Sequence, residues 1–169
     1  LLTLKEIALA RRVFGGSIAY HRVWINCASY LPFGLQSENA ALAPNGEIWF
    51  RKRMYREDFG AICSDITHRH LFIHEMTHVW QHQHHQWVML RGAFSWMANY
   101  SYDLTEGKRL TNYSLEQQAQ IVADFYILFY HGCNEFAFYR NHYNFIGYQG
   151  TLEGGRLLQM YQKTVAGFF

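Results

Sequence analysis

The stretch LFIHEMTHVWQHQHHQW, Leu71 to Trp87, holds five of the chain's ten histidines, and His68 and His70 stand just upstream. Its apolar residues fall at helical spacing: Leu71, Phe72, Met76, Val79 and Gln83 form one stripe three to four positions apart. Asp65 has the side chain of an N-cap, so the pattern predicts an amphipathic helix from Asp65 through about Gln83. Residues four apart on such a helix share a face, one turn above the other.

Within that helix His74, Glu75 and His78 spell HExxH. The spacing lets both imidazoles reach one ion at the Zn–N separation of about 2.0 to 2.1 Å. Glu75 is angled beside the first histidine, where its carboxylate can serve as general base toward a water whose pKa a metal lowers from 15.7 to about 7. One zinc ion per chain is the expected cofactor. His70 and His82 continue the four-residue row a full turn away and are expected to be solvated or hydrogen-bonded. His84 and His85 suit a helix end, where positive charge complements the dipole.

A catalytic zinc takes three protein ligands and keeps one position open. The third is sought downstream, in SLEQQAQIVAD, where Ser114 is an N-cap candidate with Gln117 at the matching capping-box position. Glu116 stands in the first turn of that helix, and Ala119 and Ala123 follow on its face as small residues that permit close backbone approach. Asp124 competes with it, either as the ligand or as an acceptor for a ligating imidazole N–H. Tyr113 and His131 are candidates for stabilising an oxyanion.

Outward from these two helices, Leu4, Ile7, Ala8 and Arg11 predict a first helix over Leu1 to Phe14, ended by Gly15 and Gly16. Val23, Ile25 and Cys27 alternate within His21 to Leu31 and predict a strand. Glu47, Ile48, Trp49 and Phe50 follow the turn signal Pro44-Asn45-Gly46 and predict a second. An exposed edge at residues 47 to 50 could bind an extended peptide by strand addition. Arg91 to Tyr113 suggests a short helix and then a polar loop. Leu115, Ala119, Val122, Tyr126 and Phe129 keep one apolar face up to a stop at His131-Gly132, and further helices are expected over Glu135 to His142 and Leu152 to Val165.

At 169 residues, 50% of them hydrophobic, the chain has the size of a single domain with a sizeable core. The cluster Arg51, Lys52, Arg53 and Arg56 is followed at once by Glu57 and Asp58, and net charge is only +2, which suits a solvated loop better than a nucleic-acid footprint. Cys27, Cys63 and Cys133 are odd in number and far apart, compatible with one disulfide or with three buried thiols. The longest apolar run is too short to span a bilayer. A start at Leu1 with no signal segment suggests a piece of a longer polypeptide.

HEMTH followed by EQQA resembles zincin metallopeptidases of the gluzincin type. More narrowly, PNGEIWF, LFIHEMTHVWQHQ and YSYDLTEGKRLTNYSLEQQAQIVADFY together resemble the C-terminal metallopeptidase extension of VgrG-type type VI secretion spike proteins. The resemblance covers about half the chain, from Pro44 to Tyr126. It implies zinc ligands at His74, His78 and Glu116, a catalytic base at Glu75, and an antibacterial effector covalently carried on a secretion spike into the target periplasm. Gln120 stands after Ala119 where many zincins have Asp or Asn, which keeps Asp124 in play.

The expectation is therefore a mainly helical α+β zincin-like fold with a small sheet and an active-site helix. Its expected act is zinc-dependent hydrolysis of protein or peptide substrates in a target bacterium, with cell-wall peptides as the other substrate class. The competing class is a non-catalytic, zinc-stabilised docking module of a secretion spike.

Overall fold

The computed structural model describes residues 1–39, 41–86 and 99–168 and is mainly helical with one small sheet. The short helix expected at the start of the segment 91 to 113 falls outside the described residues. Two compact units divide the chain, Leu1–Ala98 and Asn99–Phe169.

In the first unit, helix α1 spans Leu4–Phe14 and is closed by a full capping box. The Thr3 hydroxyl accepts from Glu6 N–H at 3.1 Å, and the Glu6 carboxylate accepts from Thr3 N–H at 2.8 Å. Its buried face is Glu6, Leu9, Ala10 and Phe14, whereas Leu4, Ala8 and Arg11 of the expected stripe face solvent. The cause lies in Glu6, whose second oxygen accepts from the buried Phe59 N–H at 3.0 Å and turns that side of the helix inward. Gly60 permits this approach: a Cβ there would lie 2.4 Å from the Lys5 carbonyl carbon.

Strands β1 (Ile25–Cys27), β2 (Ala41–Leu42) and β3 (Ile48–Phe50) form a sheet ordered β1-β3-β2. β1 pairs with β3 in parallel, Asn26 opposite Trp49, and β2 pairs with it antiparallel, Leu42 opposite Trp49. The segment Glu47 to Phe50 therefore supplies the middle strand. Its hydrogen-bonding sides are taken by β1 and β2, so the edge expected there for an extended peptide is not free.

Helix α2 spans Ile66–Gln83, with Asp65 as N-cap accepting from His68 N–H at 2.9 Å. A run of three rings sets it against the sheet: Phe50 and Phe59 are 4.7 Å apart by centroid, and Phe59 and Phe72 stack at 5.5 Å. All three are fully buried, and each such side chain contributes roughly 1.5–3 kcal/mol. The helix is not amphipathic along its middle: every residue from Phe72 to Gln81 is buried. A helix buried all round marks an element enclosed by protein.

In the second unit, helix α3 spans Leu115–His142 and opens on Ser114 with the expected capping box to Gln117. Gly132, at φ 89 and ψ 173, is non-helical and breaks it at the expected stop, so Leu115–His142 is two helices meeting at a kink, as anticipated. Phe129 is exposed, and the buried face instead runs from Gln118 to Leu128 with Phe136 beyond the kink. Helix α4 spans Gly154–Val165 and packs on α3.

The remainder of this unit is irregular and is held by one buried carboxylate. Asp124 accepts from the Tyr102 hydroxyl at 2.6 Å, from Gly147 N–H at 2.8 Å and from the Gln120 amide at 2.9 Å. The Tyr161 hydroxyl in turn donates to Tyr102. Burial first and the Asp124 charge second push both phenols well above their ordinary pKa. A parallel bridge between Tyr102 and Tyr148 completes the junction. Cys27, Cys63 and Cys133 are free and exposed, so they form neither a disulfide nor part of the core.

Candidate metal centre

His74, Glu75 and His78 lie in the buried middle of α2, each with only 4 to 6% of its surface exposed. The rings of His74 and His78 meet edge to face with centroids 5.0 Å apart, and their ligand nitrogens approach within 4.8 Å. That spacing is the helical i, i+4 repeat expressed in side chains, compatible with a single ion between two nitrogens.

One hydrogen bond decides which nitrogen of His78 is available. Its Nδ1 lies 2.8 Å from the Gln81 Oε1 atom. An amide oxygen only accepts, so Nδ1 must carry the proton and donate, leaving the Nε2 lone pair for a metal. Gln81 is completely buried and fixes the His78 ring in the way that a ligating histidine would require. Asp124 was the acceptor considered from the sequence for an imidazole N–H, and Gln81 was not among the candidates. The available signal was its position three residues after His78, on the same helix face, in a chain segment too apolar to leave an amide in water.

In the second unit, Glu116 occupies the first turn of α3, half-buried, where the helix dipole favours a carboxylate. Ala119 and Ala123 behind it are both fully buried. His74, His78 and Glu116 constitute a possible metal-binding group, each offering one ligand atom, and Asp124 is not among its members. Asp124 instead has three donors of its own unit on its two oxygens, as described above. The donor set of two imidazoles and a carboxylate fits zinc by ligand chemistry.

The other histidines separate by environment. His70 is buried, not solvated. His68 pairs with Asp65 at 2.8 Å. His82 lies against Gly46 so closely that a Cβ there would come 2.8 Å from its Cδ2. His84 stacks on Trp80 at 4.1 Å and sends Nδ1 to the Trp80 carbonyl at 2.8 Å, closing the helix end. Tyr113 donates its hydroxyl to the Asp103 carbonyl at 2.9 Å, and His131 Nε2 lies 3.4 Å from the Tyr126 hydroxyl.

No protein-family profile matches the chain. It is 41% identical over 128 residues, 72% of its length, to the type VI secretion system spike protein VgrG2b of Pseudomonas aeruginosa, of whose length those residues are 12%. Among solved structures it is similar to the effector domain of Pseudomonas aeruginosa VgrG2b, with a TM-score of 0.68 and 35% identity, covering 88% of this chain and 83% of that one. The chain belongs to the family of the VgrG2b effector domain, in the context of the type VI secretion spike.

Proposed function

We propose that this chain is a zinc-dependent metallopeptidase of zincin type, both units together forming one effector domain of a longer spike protein that hydrolyses peptide bonds in the periplasm of a target bacterium. The observation that carries the reading is the buried HExxH face of α2, with the proton of His78 held on Nδ1 by Gln81 and the ring's lone pair therefore on Nε2. His74, His78 and Glu116 are the ligands of one zinc ion in this reading, with Glu116 preferred to Asp124 because the latter already accepts three hydrogen bonds. When bound, zinc supplies Lewis acidity, which acidifies water and polarises a carbonyl.

Glu75 is the residue that moves the proton. Its carboxylate takes one from the attacking water as the new C–O bond forms, and returns it to the leaving amine as the C–N bond breaks. Burial at this position keeps the carboxylate in a low-dielectric setting, where its field on the reacting atoms is strong. Because β3 is the central strand, a substrate that joins the sheet would do so along β1 or β2.

The test is Glu75→Ala. Zinc should remain at one equivalent while proteolysis and periplasmic toxicity disappear, and full activity in that variant would remove the mechanism and favour a zinc-stabilised docking module. Comparing Glu116→Ala with Asp124→Ala by metal stoichiometry tests the third ligand: zinc lost from the second and kept by the first reverses the assignment. A degradation profile of target-cell envelope proteins and cell-wall peptides, with Glu75→Ala as control, identifies the substrate class.

A further inference from the structure

The loop joining β1 to β2 displays large apolar side chains to water. Phe33 is 99% exposed and Leu35 71% exposed, with Pro32 and Gly34 beside them. Phe33 also has φ 55, a left-handed conformation that a residue with a bulky side chain rarely adopts. A folded chain normally turns such side chains inward, and strain of this kind persists only where surrounding structure holds it.

Here the holding group is visible. Gln36 is buried at 3% exposure, and its amide bridges the loop to the sheet: Oε1 accepts from Tyr30 N–H at 2.8 Å and Nε2 donates to the Trp49 carbonyl at 2.9 Å. The Ser29 hydroxyl donates to the Leu31 carbonyl at 2.8 Å, and Leu35 N–H returns to the Pro32 carbonyl at 3.2 Å. The edge of the Tyr30 ring meets Trp49 at 5.6 Å. The tip is therefore a fixed display of Phe33 and Leu35.

Charge is arranged around it. Ala28 to Ser37 contains no charged residue, whereas Arg51 to Arg56 contains four cations and no acid. The two segments are adjacent: a Cβ on Gly34 would stand 4.0 Å from the Arg51 guanidinium. Arg51 is paired with Glu38 across the base of the loop, and Asp58 is engaged by Thr3, Gly60 and Lys5. Lys52, Arg53 and Arg56 are exposed, and so is Glu57 after them, so the exposed charge of the segment stays positive. An apolar tip beside exposed cations matches a surface that is anionic outside and hydrocarbon within.

We propose that the Pro32–Leu35 tip is a membrane-surface anchor, inserting Phe33 and Leu35 among the acyl chains of an anionic phospholipid bilayer while Lys52, Arg53 and Arg56 lie against the headgroups. The anchor does not depend on the zinc chemistry: it would hold the domain at the bilayer in the metal-free protein as well.

The experiment is co-sedimentation of the whole chain with vesicles of phosphatidylglycerol and phosphatidylethanolamine, beside vesicles of phosphatidylcholine alone. Phe33→Asn with Leu35→Gln removes the apolar groups and keeps a residue that tolerates the left-handed conformation, and Lys52→Glu with Arg53→Glu reverses the charge. The protein should bind the anionic vesicles preferentially, less as salt rises. Losing two buried apolar groups should weaken binding by at least about tenfold, and the charge-reversed variant should lose the preference for anionic lipid. Both variants should keep the parent's circular dichroism and melting midpoint, since their side chains are exposed. Absence of vesicle binding at low ionic strength overturns the proposal. So does undiminished binding by the Phe33→Asn, Leu35→Gln variant, or a finding that the tip instead drives self-association of the chain. Measuring peptidase activity of the loop variant on a soluble peptide separates the two hypotheses, because that activity should be unchanged if the tip acts only at the membrane.

Discussion

Gln81→Met offers a quantitative test of how the metal site is oriented. Methionine keeps the length and approximate volume of glutamine, so packing around a completely buried position is nearly conserved, but it removes the oxygen that receives the His78 Nδ1 proton at 2.8 Å. In the metal-free protein the imidazole can respond by moving its proton to the other nitrogen. With Nε2 committed to a metal it cannot, and the buried Nδ1–H then lacks that acceptor. Leaving such a donor unsatisfied costs about 1–3 kcal/mol, and at about 1.4 kcal/mol per factor of ten the loss in zinc affinity should fall near 10- to 100-fold. Equilibrium competition against a chromophoric chelator measures this directly, with circular dichroism confirming the fold. Gln81→Glu, which retains an acceptor and adds charge, should bind zinc at least as tightly as the parent. An affinity for Gln81→Met within about twofold of the parent would refute the reasoning, and a tighter one would show that His78 binds through Nδ1, where Gln81 competes with the metal.

Gly60→Ala should destabilise the chain by about 1–3 kcal/mol, the usual cost of overpacking, because its Cβ would meet only backbone, with Lys5 C at 2.4 Å and Glu6 N at 2.7 Å; a denaturation midpoint equal to the parent's would contradict the close approach. Asp65→Ala should cost about 0.5–2 kcal/mol through the lost N-cap of α2. Burial opposes ionisation of Asp65, but bonds from Thr67 and His68 prevail and lower its pKa below 3.8, so its stabilisation is present above pH 3.8 and fades as pH falls through the folded value. Glu6 behaves oppositely: burial raises its pKa above 4.5 against the pull of the Thr3 and Phe59 N–H groups. Between 4.5 and that raised value the folded state holds more protons, so Glu6's contribution shrinks as pH rises, and the stability difference between parent and Glu6→Gln should narrow over that window in urea titrations; a widening difference would be incompatible with the raised pKa.

The elements with strong local chemistry were legible in the sequence. Asp65 and Ser114 open their helices as side-chain caps, and Gly132 interrupts α3 through a dihedral that few other residues adopt. What escaped depended on partners distant along the chain. The inward face of α1 was misassigned because Glu6 looks like a surface residue until the N–H of Phe59, 53 positions away, is placed on its carboxylate. The bonds that Asp124 accepts from Tyr102 and Gly147, 22 and 23 positions away, leave no mark in any local pattern. The position of β3 inside the sheet could not follow from alternation, since three- and two-residue strands carry too little pattern to fix their order.

The same distinction explains why HExxH was legible while its support was not. A motif that acts within one helical turn needs only the helix, and α2 supplies it from its own cap and from the stacked rings of Phe50, Phe59 and Phe72. A buried histidine pair, however, also needs its remaining ring N–H groups matched to acceptors, and any nearby amide, carboxylate or carbonyl satisfies that demand. Chemical type alone favoured Asp124; geometry supplies Gln81 for His78. It follows that the identity of the supporting residue is less constrained than that of the ligands. If His78 is a ligand as proposed, Gln81→Glu should be tolerated at the metal site where His78→Gln is not, because the first replacement preserves an acceptor for an N–H and the second removes the imidazole lone pair that would bind the ion.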